Sequence, residues 1–113
     1  MKKISAAILD YAKPVLDELP PDTSLETRRE VIGFAILVWN ALVMVEWGRP
    51  DFLADLKDRL ATLEGADIVT GAFDRLVERK QQRHAHDDRA VGNWEMRVKH
   101  DGSLSLWAEA RGR

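Results

Sequence analysis

The chain has 113 residues, 45% of them hydrophobic and 32% charged, with a formal net charge of −2. Those shares belong to a soluble globular protein, and the slightly acidic balance argues against a chain built mainly to bind nucleic acid. Because there is no cysteine, disulfides, thiolate catalysis and Cys-ligated zinc or iron–sulfur centres are excluded.

The length favours one domain spanning residues 1–113. The opening MKKISAAILDYAKP has a basic head, but Asp10 and Lys13 interrupt its apolar stretch. No signal peptide is expected, and the cytoplasm is the expected compartment. Ile4, Ile8, Tyr11, Val15 and Leu19 recur at spacings of three and four, which is one helical stripe over Lys3–Leu19. Pro14 lies inside it. The stripe keeps its phase across the proline, so the reading is one kinked helix rather than two.

A second helix is expected from Ser24 to Trp47. TSLE reads as a capping box, with Thr23 as the cap and Glu26 reaching back, and Gly48 and Pro50 stop the helix. Its run VIGFAILVWNALVMV, Val31–Val45, is too short to span a membrane and carries Asn40 in its middle. A helix apolar nearly all round is expected to be the axis of a core. The third helix, Asp51–Leu63, gathers Phe52, Leu53, Leu56, Leu60 and Leu63 on one face. EGAD then reads as a stop at Gly65 and a new cap at Asp67. The fourth helix, from Ile68 to about Arg83, buries Ile68, Val69, Ala72, Phe73, Leu76 and Val77. Beyond Val77 it is expected to run into solvent.

The period then changes from 3.6 to 2. Trp94, Met96 and Val98 alternate with Glu95, Arg97 and Lys99, and Leu104, Leu106 and Ala108 alternate with Ser105, Trp107 and Glu109. The pattern predicts a hairpin over about 92–110. A two-residue turn would throw the two apolar sets onto opposite faces. A three-residue loop, His100-Asp101-Gly102, sets Val98 opposite Leu104, Met96 opposite Leu106 and Trp94 opposite Ala108. The pleat requires that match, so a type I turn with Gly102 left-handed is predicted. The fold class is therefore mainly α: four helices, as an α-α superhelix or a bundle, with a C-terminal two-stranded antiparallel β-hairpin laid on them.

Three sets of residues are candidates for function. RHAHDDR, Arg83–Arg89, offers His84, His86, Asp87 and Asp88, with His100 further on. Nitrogen and oxygen ligands of this kind suit Mn²⁺, Zn²⁺ or Fe²⁺ and would serve a metal-dependent hydrolase. Histidines two apart diverge on a helix, however, and the preferred reading is a polar helix end followed by a turn, with Asp88 tying to Arg89. Arg75, Arg79 and Arg83 form a basic stripe that could meet the phosphates of a nucleic acid. Asp74 and Glu78 interleave with it, which favours a solvated helix face. Glu95, Arg97 and Trp107 share the hairpin's polar face, and an exposed tryptophan marks a partner surface. Asn40 is a buried amide that either points into a ligand pocket or holds a neighbouring segment. No phosphate-binding glycine loop, nucleophile elbow or dinucleotide fingerprint is present.

LDELPPDTSLETRREVIGFAILVWN, Leu16–Asn40, and DDRAVGNWEMRVKHDGSLSLWAEA, Asp87–Ala110, with leucine-rich helices between, resemble a group of small uncharacterised bacterial helical proteins known from structural genomics. That group is loosely an ARM/HEAT-like α-α superhelix. The resemblance implies helices stacked as pairs and no catalytic residues. The combined expectation is a small non-enzymatic interaction module with a protein partner or a second copy of itself. No cofactor and no membrane partner are expected.

Overall fold

The computed structural model describes residues 2–112. Four helices, α1 (Ile4–Asp17), α2 (Leu25–Glu46), α3 (Asp51–Ala61) and α4 (Ala66–Arg83), precede strands β1 (Ala90–Val98) and β2 (Leu104–Arg111). The strands pair as a two-stranded antiparallel sheet. The expected fold class is the observed one. Among the described residues no helix is long and apolar enough to cross a membrane.

α2 is the axis. It packs against α1, α3, α4 and β1, and Ile32, Ala35, Ile36, Val38, Trp39, Ala41 and Val43 along it are buried. A helix surrounded by four partners needs apolar residues on nearly every side, which is why its sequence shows little one-sided patterning. α1 is continuous through Pro14 and buries Ile4, Ala7, Ile8, Tyr11 and Ala12. A single cluster of buried side chains draws on all four helices and both strands.

Several local expectations are corrected. The cap of α2 is Ser24, whose Oγ accepts from the Thr27 amide at 3.1 Å, while Thr23 Oγ1 donates to Pro20 O at 2.6 Å. Thr23 is held in the preceding turn, so the cap falls one residue later. α4 starts from Gly65, at φ +74°, and Asp67 lies inside its first turn. Ile68, expected to be buried, is 79% exposed.

The end of α4 does not run into solvent. Lys80 is only 3% exposed, with Nζ 4.5 Å from the centroid of the Trp39 ring. Its ammonium donates to His84 O at 2.8 Å and to Asp87 O at 2.7 Å. A buried ammonium is tolerable when carbonyls and an aromatic face replace its water.

Candidate interaction surface

The hairpin is attached to the helices through backbone groups. Asn40 Nδ2 donates to Val91 O at 2.9 Å, and Val91 N donates to Asn40 Oδ1 at 2.8 Å. One amide side chain thus pairs with both polar groups of a strand residue, as a neighbouring strand would. Trp39 Nε1 donates to Arg89 O at 2.7 Å just before β1 begins. Asn40 spends its amide on this clamp, so the residue singled out as a pocket candidate holds a neighbouring segment.

The register follows the pleat. Val98 faces Leu104, Met96 faces Leu106 and Trp94 faces Ala108. Gly102, at φ +84°, closes the three-residue loop, with its amide on Lys99 O and the Lys99 amide on Ser103 O. Asp101 Oδ1 accepts from Ser103 N and Oγ at 2.9 and 2.6 Å. β1 begins two residues earlier than expected, because an irregularity between Val91 and Trp94 resets its alternation. Ala90 and Val91 are thereby both buried.

With Met96 and Leu106 turned onto the helices, the opposite face is uncovered. Glu95 stands across from Trp107 and Arg97 across from Ser105. Trp107 is 57% exposed. Arg97 donates to Glu95 Oε2 at 3.1 Å, and that bond together with the guanidinium charge holds the Glu95 carboxyl below its usual range. These four residues line a shallow depression of about 390 Å³. The structure therefore brings together Glu95, Arg97 and Trp107, which the alternation had placed on one face.

The histidine-rich segment is arranged differently. His84 Nε2 lies 3.0 Å from Asp10 Oδ2, and its ring meets Tyr11 and Trp39 edge-on at centroid distances of 6.0 and 5.5 Å. Asp87, not Asp88, ties to Arg89, accepting from Nε at 2.9 Å, NH2 at 2.7 Å and the backbone amide at 3.2 Å. His86, Asp88 and His100 are exposed. Among the described residues no group of three or more His, Asp or Glu side chains is placed to hold a metal ion. Asp10 and His84 form a carboxylate–imidazole pair, yet the nearby Tyr11 hydroxyl donates to Leu76 O at 2.9 Å. Among the described residues no hydroxyl bonds to His84.

The basic stripe of α4 faces α1, although the Arg75 and Arg83 side chains remain 48% and 59% exposed. Arg75 pairs with Glu18. Arg79 donates through Nε and NH2 to Asp10 O at 3.1 and 2.7 Å, and Arg83 Nε lies 3.8 Å from Asp10 Oδ2. All three arginines join α4 to α1.

Asp10, Lys80 and Trp39 were not among the sequence candidates. A signal for one existed: Phe73, Leu76, Lys80 and His84 continue a single stripe at spacings of three and four. Lys80 and His84, its polar members, carry the apolar stripe past Val77.

The fold and the open face together define a small, mainly α protein that presents an aromatic β-hairpin surface. The chain matches no family model, no curated protein and no solved structure.

Proposed function

We propose that this protein works by binding rather than by chemistry, as an interaction module whose contact surface is the outer face of the hairpin. One observation carries the reading: Trp107 stands largely exposed between Glu95, Arg97 and Ser105 on a sheet face that no helix covers among the described residues. A tryptophan offers a large apolar area with few rotamers to freeze, and arginine beside it adds directional bonds, which is the composition of interface hot spots. The sheet beneath it is tied to α2 by the two Asn40–Val91 hydrogen bonds.

A photo-crosslinking amino acid in place of Ser105, irradiated in the cells that make the protein, tests the surface. Discrete adducts are expected, and they should disappear when Trp107 is also replaced by alanine. Adducts no more abundant than those from the exposed Lys57 on α3, or adducts indifferent to Trp107→Ala, would overturn the reading.

A further inference from the structure

We infer that the occupant of this face is a second copy of the same chain, related by a two-fold axis that lies in the interface, crosses the strands and passes at the level of the Met96–Leu106 pair. The inference rests on the interaction-surface reading above and adds the partner's identity. Glu95 and Arg97 stand on β1, one residue to either side of Met96, and Trp107 and Ser105 stand on β2, one residue to either side of Leu106. Rotation about the stated axis reverses the strand direction and keeps β1 over β1 and β2 over β2. Each Glu95 is then set against the Arg97 of the second copy, and each Trp107 against its Ser105.

Opposite charges meet twice, and the largest side chain on the face meets the smallest twice. The depression lined by Glu95, Arg97, Ser105 and Trp107 becomes the socket for the second indole. Further out, Lys99 comes to the level of Glu109 of the second copy, again with opposite charge. An axis running along the strands instead would lay β1 over β2 and set each Glu95 against Trp107 and each Arg97 against Ser105 of the second copy, leaving neither charge directly across from an opposite one. The pattern is self-complementary under one symmetry operation, as an isologous interface must be.

About three outward residues on each strand make a face smaller than the ~800 Å² per partner of a standard stable interface. The dimer is therefore weak and concentration-dependent. Sedimentation velocity on the full chain from about 10 µM to about 1 mM reads it. The wild type should pass from monomer to dimer within that range. Glu95→Arg and Arg97→Glu should each weaken self-association by about tenfold or more, because each sets like charges face to face. Mixing the two variants should restore association as a heterodimer, visible as the mixed mass in native mass spectrometry. Ser105→Trp, which sets indole against indole, should abolish the dimer while the circular dichroism spectrum of the fold persists.

A wild type that stays monomeric to about 1 mM, reversals without effect, or a mixture no stronger than its components would each overturn the inference. The wider reading is decided separately by the crosslinks from position 105. Adducts of twice the chain mass support the second copy, whereas Trp107-dependent adducts of another mass overturn it and leave the surface reading intact.

Discussion

Asn40 answers both polar groups of Val91 with one side chain, so its loss leaves an N–H and a C=O against the body of the protein. Asn40→Ala is expected to lower the unfolding free energy by about 2 kcal/mol, measured by urea denaturation. Asn40→Asp should cost at least as much, since a carboxylate can still accept from Val91 N but cannot donate to Val91 O. A change within about 0.5 kcal/mol for both, the range of neutral surface substitutions, would show that the clamp contributes nothing. The polarity of Asn40 was legible as an anomaly in an apolar run, but its partner, 51 residues away, was not. The same holds for His84, whose Nε2 is taken by Asp10 74 positions away, whereas the oxygens of Asp87 are taken by its near neighbour Arg89. Added Zn²⁺ or Mn²⁺ should therefore leave the melting temperature unchanged in differential scanning fluorimetry. A rise that disappears on His84→Ala would restore the metal reading.

Elements were set mainly by local rules, and their departures from expectation have local causes. Ser24 and Thr23 both suit a helix cap, and neither composition nor periodicity separates them. The geometry does, because Thr23 is engaged by Pro20 O while Ser24 faces the free amide of Thr27. Ser24→Ala should destabilise by about 1 kcal/mol, the usual worth of a cap, and Thr23→Ala by less, in thermal or chemical denaturation. The reverse order would place the cap back at Thr23. The hairpin register was fully legible, since one face must be apolar and a slip of one residue exposes it. The irregularity near Gly92 was not. A Cβ there would press on the outer parts of the Arg111 and Glu109 side chains, which lie over the glycine from the opposite strand.

At the scale of the whole molecule, α1, α4 and the segment before β1 are joined by a seam of ionisable groups, and its response to pH follows from their environments. Burial holds the His84 imidazole below its usual 6.5, although the Asp10 bond pulls the other way. Asp10 and Asp87 both lie below 3.8. Burial pushes each of them upward, but the bond to His84 and the charges of Arg79 and Arg83 outweigh it for Asp10. The bonds from Arg89 do so for Asp87.

A histidine depressed in the fold takes up its proton more readily when unfolded. Its contribution is complete above 6.5 and is lost as pH falls through the folded value. The two carboxylates contribute fully above 3.8, and that stability is lost as pH falls through their folded values. Melting temperatures from about pH 8 to about pH 2 should therefore descend twice, first below 6.5 and again below 3.8. His84→Gln should remove the first descent and leave the second. A wild type with only the lower descent would contradict a His84 imidazole held below its usual 6.5.

Four helices, the apolar axis of α2, the hairpin with its three-residue loop, and the sharing of one face by Glu95, Arg97 and Trp107 are all legible in the residue order. Each of these depends on spacing along the chain, and helical or strand geometry converts spacing directly into a face. That Lys80 and His84 turn inward, that the α4 arginines reach toward α1, and that Asn40 completes the edge of β1 are results of packing. Those outcomes depend on which backbone carbonyls and carboxylates arrive from residues as many as 74 positions away. A polar side chain shows in the sequence what it can bond, and packing alone supplies the partner.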